Sequence, residues 1–246
     1  MILHDLHVHS IQSSCGLHTI LEIVDIAAKK GMKSVNISDH GEASGRRINF
    51  GIFLDKRRFP REVKSHSGRT VTLLGGVEVN ILDEQGGSDF PHKYRALFDL
   101  VSAGFHPLTD PLPSAERNTR ALESYLRQSP LDILTHPCIR SAPLDLDRVV
   151  ELALEYGFAL EVNNSNLRLG KTDAEQVLKL LDIGSAKGVR FVENSDGHTF
   201  AEIGENEKIT ELLAYGGWDG NALFLNRDDS RLTQFLKERK ALRTQA

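Results

Sequence analysis

The alternation of apolar and polar positions divides this chain into short strands separated by helices. Residues 1–10 (MILHDLHVHS) read as a strand with Asp5, His7 and His9 on one face and Leu6 and Val8 on the other, since successive side chains of an extended chain point to opposite sides. A helix follows over residues 19–30, with Leu21, Val24, Ile26, Ala27 and Ala28 as its apolar side and Gly31 as its end. Residues 33–38 form a strand that runs into Asp39-His40-Gly41. A basic, less regular stretch then passes through Arg46, Arg47, Lys56, Arg57, Arg58 and Arg61, and a helix closes over 63–67. Residues 70–80 read as extended, with a turn at 84–87, and the apolar run inside 94–105 stops at His106. Further on the pattern predicts helices over 114–127, 146–156, 172–187, 200–215 and 230–240. It places strands at 131–135, 158–162, 189–192 and 222–225, and a polar loop at 163–166.

Strands alternating with helices imply parallel βαβ units, and this many without a linker imply one closed α/β barrel over residues 1–246. An open doubly wound sheet is the other arrangement, but it gives no reason for so many strand ends to carry similar chemistry. His7 and His9, His40, Glu78, His106, His136, and Asp196 with His198 each fall at the carboxyl end of a predicted strand. In parallel barrels side chains from separate strands converge at that rim. His4, His66 and His92 fall elsewhere and read as ordinary hydrogen-bonded or solvated rings.

Composition narrows the chemistry. With 34 acidic against 30 basic residues and a net charge of -4, a broad electrostatic nucleic-acid surface is disfavoured, although a local basic pocket is not. The 2 cysteines, Cys15 and Cys138, make no disulfide framework and suit a reducing cytoplasm. No signal-like start and no membrane-length apolar run is present, so a soluble cytoplasmic protein is expected, with no membrane partner. Imidazole and carboxylate together suit zinc or manganese, or iron, and the donors exceed what one catalytic zinc needs. More than one divalent ion is therefore expected, with a carboxylate such as Glu78 as the natural bridge.

The motifs D-L-H-V-H-S at 5–10, S-D-H-G at 38–41, G-V-E-V-N at 76–80, A-G-F-H at 103–106, T-H-P at 135–137, E-V-N-N-S at 161–165 and S-D-G-H at 195–198 resemble those of the PHP (polymerase and histidinol phosphatase) superfamily. The likeness is to its small stand-alone bacterial phosphatases. It implies a distorted (β/α)7 TIM-like barrel and a trinuclear site: a first ion on His7, His9, Glu78 and Asp196, a second on Glu78, His106 and His136, and a third on His40, His198 and a residue of the loop after His9. Where that family pattern has a histidine this chain has Cys15, with His18 three places on. Cys15, His18 or neither completes the third position.

The chemistry implied is hydrolysis of a small phosphate monoester, with a metal-bound water as nucleophile and Glu78 and Asp196 holding the ions that activate it. Asp5 is either a partner that orients a histidine ring or a buried acid bonded to backbone. Arg140, Arg46, Arg168 and Lys171 are the substrate-phosphate candidates, Arg140 foremost because it follows His136 closely. The alternatives are a PHP-type nuclease, a metal-dependent amidohydrolase, and a regulatory module that binds metal without catalysis. The sequence is silent on oligomeric state.

Overall fold

The computed structural model describes residues 1–44, 50–106 and 114–245. Its spine is a row of parallel strands in the spatial order β1 (His4–Val8), β2 (Ser34–Ile37), β4 (Thr70–Asn80), β5 (Leu100–Gly104), β6 (Ile133–Leu134), β7 (Ala159–Asn163) and β8 (Phe191–Asn194); β3 (Glu62–Lys64) adds antiparallel to β4. The two ends of the row meet at the rim. Val8 and Gly197 form a parallel bridge, the His9 amide donates to the Gly197 carbonyl at 3.0 Å, and the Leu6 amide donates to Asn194 Oδ1 at 2.9 Å. The result is the distorted, nearly closed TIM-like (β/α) barrel that the alternation of elements predicts.

Helices α1 (Ile20–Lys29), α2 (Phe50–Asp55), α3 (Ala115–Leu126), α4 (Leu146–Tyr156), α6 (Ala174–Ala186) and α7 (Glu207–Gly216) bring apolar side chains to the two outer clusters. Val8, Val35 and Ile37 meet Ile23, Val24 and Ala27 of α1, while Leu134, Leu160 and Val162 share a cluster with Leu122, Val149 and Leu180. Burying each valine, leucine or isoleucine here stabilises by roughly 1.5–3 kcal/mol. The helix starts are written in sequence: Thr19 and Glu22 make a reciprocal capping box, Ser114 accepts from the Arg117 amide, and Asp145 accepts from the Arg148 amide. Gly157 ends α4 in the left-handed conformation at φ 70°.

A third cluster has a different composition and place. Leu6, Leu74, Leu100, Ile133, Ala159 and Val192, one from each of six neighbouring strands, pack with Leu232 and Phe235 of α9 (Asp229–Gln245). Two residues further along the same faces the side chains turn polar: Leu74 is followed by Gly76 and Glu78, Ala159 by Glu161 and Asn163, and Val192 by Asn194 and Asp196. The barrel is thus apolar at the end that α9 covers and polar toward the carboxyl rim.

Several local expectations give way. Residues 63–67 are not helical: Glu62–Lys64 is the edge strand β3, with Val63 opposite Val71, because β4 is 11 residues long and its first half needs a partner. The stretch at 163–166 enters a short helix, α5 (Asn164–Arg168), capped by the Asn163 side chain. Residues 222–225 form no strand; α8 (Gly220–Leu223) takes in the first two, Phe224 keeps a single bridge to Phe191, and Leu225 opens a 3-10 turn. Strict alternation also fails in β1, where the register against β2 shifts between Asp5 and Val8. Leu6 joins the inner apolar cluster, and Asp5 turns away from the histidines. No helix among the described residues is long and apolar enough to cross a membrane.

Helix α9 is anchored under the barrel by charge. Asp132 is fully buried; it accepts from the Val101 amide at 2.7 Å and from Arg239 Nε at 3.3 Å, and pairs with Arg243 Nη1. Arg239 also donates to the Leu131 and Tyr156 carbonyls, and Arg243 to those of Phe98 and Asp99. Removing one partner of such a network leaves an uncompensated buried charge. Asp132→Ala is expected to lower unfolding stability by about 3–5 kcal/mol, read as a lower denaturant midpoint at unchanged slope; a loss below about 1 kcal/mol would show that α9 is held by its apolar face alone.

Candidate metal centre

Glu78 stands on the inner side of β4 and is fully buried. Its Oε1 faces the Nε2 atoms of His106 and His136, each at 3.2 Å. Its Oε2 faces His40 Nδ1 at 2.9 Å, His7 Nε2 at 3.2 Å and His9 Nε2 at 3.6 Å. Asp196 Oδ1 lies 3.2 Å from His9 Nε2, 3.5 Å from His7 Nε2 and 3.7 Å from His198 Nδ1. Residues far apart in sequence thus converge through the ends of the parallel strands.

The backbone is bent to make this convergence. His136 at φ 35° and Asp196 at φ 53° adopt left-handed conformations that ordinary residues avoid and that concentrate at functional sites. Gly104 clears the space beside His136, since a Cβ there would lie 2.8 Å from the ring Cε1 and 2.3 Å from Thr135 Oγ1.

The donor set fits divalent cations. His7 and His9 bring their Nε2 atoms within 3.0 Å of each other, and His106 and His136 theirs within 3.2 Å. With ligand bonds of about 2.0–2.1 Å, the edges of a tetrahedral shell are about 3.3–3.4 Å long. Glu78 Oε2, ringed by imidazoles, makes no hydrogen bond.

Charge points the same way. Burial would push Glu78 up, but His7, His106 and His40 hold it well below the usual carboxylate range. Burial would lower His7, but Glu78, Glu161 and Asp196 lift it well above its ordinary value; His40 rises to about 10 against its burial, through Glu78 and Cys15. At His106 burial prevails, and the ring falls to about 4 despite Glu78. The carboxylates therefore draw positive charge into the pocket, and divalent ions can supply it in place of ring protons.

A carboxylate outside the predicted set, Glu161, orients one of these rings. His7 Nδ1 donates to Glu161 Oε1 at 2.7 Å, which turns Nε2 toward Glu78 as the nitrogen that would hold a cation in place of a proton. Glu161 also accepts from Asn194 Nδ2 at 2.8 Å, the His136 amide at 2.8 Å and Asn163 Nδ2 at 3.0 Å. The signal was in the pattern: Glu161 lies two residues beyond Ala159, on the face that leads to the rim. Asp39, the residue before His40, accepts from the Ser10 amide at 2.7 Å and from Lys56 Nζ at 3.0 Å; the Lys56 amine also donates to the Ile37 and Gly76 carbonyls.

The remaining predicted residues divide. Cys15 joins His9, His40 and His198 in a group whose ligand atoms lie within 4.8 Å of one another. Burial would raise its thiol, but contacts with the rings of His198, His40 and His9 hold it down at about 3. His18 is placed elsewhere: its Nε2 accepts from the Phe200 amide at 2.9 Å. Asp5 orients no ring; it binds the Ser195 amide and hydroxyl, the Gly204 amide and the His7 amide, and burial raises it to about 6.

Of the phosphate candidates, Arg140 pairs with Asp173 at 2.5 Å on an exposed surface, while the Lys171 backbone accepts from the Arg140 amide at 3.0 Å. Arg168 pairs with Glu202, whose Oε2 accepts from the His198 and Thr199 amides at 3.0 Å each, so it touches the metal-centre loop through that acid. Arg46 lies outside the described residues.

The model of the PHP domain matches residues 5–165 of this chain. The chain belongs to the PHP family. Among its PHP relatives, a probable phosphatase of Shewanella frigidimarina is 34% identical over 236 residues, covering 96% of this chain and 93% of the relative. One of Caldanaerobacter subterraneus is 32% identical over 242 residues, covering 96% and 91%. In structure the chain is similar to the histidinol phosphate phosphatase of Lactococcus lactis, solved in complex with zinc, L-histidinol and phosphate: the TM-score is 0.61 at 14% identity, covering 88% of this chain and 94% of the other. It is also similar to the putative histidinol phosphatase of Listeria monocytogenes, with a TM-score of 0.57 at 16% identity over 84% and 99% of the two chains. At those identities the structural likeness is one of fold.

Glu161 offers a test of ring orientation within this PHP centre. Glu161→Gln keeps the shape and removes the charge behind His7, so metal affinity should fall about 10–100-fold in a chelator competition. Unchanged affinity would mean that His7 is oriented without it.

Proposed function

We propose that this chain hydrolyses a small phosphate monoester at a centre of two or three divalent ions, zinc or manganese, held in part by Glu78 as a bridge. The chain is a hydrolase acting on phosphate esters; the bridged centre and the size of the substrate are the proposal. One observation carries it: both oxygens of a single buried carboxylate face separate sets of imidazoles, His106 and His136 on one side and His7, His9 and His40 on the other. Ions on the two sides would supply Lewis acidity, lowering the pKa of water toward neutrality and offsetting charge on the phosphoryl oxygens.

The chain's own residues set the geometry. Glu161 and the Asp196 carbonyl hold ring nitrogens of His7 and His198, at 2.7 Å and 2.9 Å, so that each ring presents its other nitrogen in a fixed direction. A Lys-bridged amidohydrolase centre is disfavoured, because the buried Lys56 amine is held by Asp39 and two backbone carbonyls. The zinc and phosphate of the Lactococcus lactis neighbour support a phosphorylated substrate for this chain as well. Arg168, tied through Glu202 to the loop of His198, is the basic group with a traceable route to the centre; Arg140, Arg46 and Lys171 remain proposed phosphate contacts.

Activity on a generic aryl phosphate is expected to vanish on chelation and to return with zinc or manganese. Glu78→Gln is expected to cost at least about 100-fold in kcat, no less than losing one donor that stabilises transition-state charge. Undiminished turnover by the chelator-treated protein would sink the proposal.

A further inference from the structure

We propose that Cys15, with His9, His40 and His198, forms a thiolate-bearing metal site that prefers a thiophilic ion such as zinc to manganese, so that this corner of the centre differs in metal choice from the part built on Glu78, His106 and His136. The inference rests on reading the cluster as a metal centre and is independent of the reaction that the centre performs.

The thiol is placed rather than loosely exposed. Ser10 caps the short turn Ile11–Ser13 by accepting from the Gln12 amide, and its hydroxyl donates to Asp39 Oδ2 at 2.9 Å, which ties the loop to the residue before His40. Ser13 Oγ donates to the Ser10 carbonyl at 3.1 Å and lies 3.1 Å from Cys15 Sγ, while Ser14 turns the chain at φ 58°. The loop thereby delivers the sulfur to a stack of rings: His9 lies between His40 at 4.3 Å and His198 at 4.5 Å, centroid to centroid. One ligand atom from each of the four residues falls within 4.8 Å of the others. His9 is fully buried, yet its Nδ1 has no hydrogen-bond partner. A buried ring with a bare nitrogen, grouped with a sulfur and two further imidazoles, is what a bound cation would satisfy.

Ligand type then decides which cation. The donors around Glu78 Oε1 are imidazole and carboxylate, which manganese and zinc both accept. A thiolate shifts preference toward zinc and cobalt and away from manganese, an oxygen-seeking ion. Cys138 does not compete for this role, since its thiol contacts the Gln176 carbonyl at 3.7 Å.

Cobalt is the probe, because a thiolate bound to it gives a charge-transfer band in the near ultraviolet. Metal-free protein loaded with cobalt should show the band in the wild type and in Cys138→Ser. It should be absent from Cys15→Ser and from Cys15→His, the latter still binding cobalt. Zinc should bleach the wild-type band at least about 100-fold more effectively than manganese, and in Cys15→His the zinc preference over manganese should narrow at least about tenfold. No band in cobalt-loaded wild type, a band surviving in Cys15→Ser, or manganese bleaching it as readily as zinc would each overturn the proposal. The wild-type competition needs no variant to fold. No substrate is present, so loss of phosphatase activity with the band intact would count against the proposed reaction and leave the thiolate site standing.

Discussion

The structure depends on a carboxylate buried where a carboxylate should not be stable alone. Glu78 is fully buried, and only the positive charge that its surroundings can hold makes that burial tolerable. Strands far apart in sequence bring imidazoles to both of its oxygens. A carboxylate that draws charge from two sides at once is suited to the proposed pair of cations, which would offset charge on the oxygens of a phosphate displacement.

The barrel supplies this environment by a change of composition along each strand. Toward the amino ends the interior is Leu74, Leu100, Ile133, Ala159 and Val192, covered by α9. Two residues further on, the same faces carry glycine, serine, glutamate and asparagine. The apolar end packs against α9, and the polar end carries His7 and Glu78 on strands, with His9, His40, His106, His136, Asp196 and His198 in the segments that directly follow strand ends. Side chains fixed on strands are held more rigidly than side chains on loops, which matters where misplacement by an ångström changes the chemistry. Asp132, Arg239 and Arg243 hold α9 across the floor, so stability and site are separated at opposite ends of one barrel.

Much of this was legible from period and position. The predicted strand boundaries put His40, Glu78, His106, His136 and Asp196 at carboxyl ends; Glu78 lies two residues inside the end of β4, and parallel topology makes those ends one rim. The conversions that failed are local. The bulge in β1 turned Asp5 toward Ser195 and Gly204, and strict alternation cannot foresee a shifted register. Residues 163–166, all polar, became a capped helix because the Asn163 side chain bonds the Asn166 amide, which composition alone does not reveal. Glu161 escapes a reading by strand ends because it sits before the end, where a charged residue reads as solvated, although the inward register buries it. Cys15 and His18 could not be separated by counting, since a loop has no fixed period. The turn that Ser10, Ser13 and Ser14 impose separates them, and it ties the loop's sulfur to the same rings that face Glu78.

Anomalous scattering from crystals grown with zinc would test the bridging role of Glu78 most directly. Two peaks are expected within bonding distance of its carboxylate, one beside Oε1 among His106 and His136 and one beside Oε2 among His7, His9 and Asp196. A single peak, or none touching Glu78, would contradict that role.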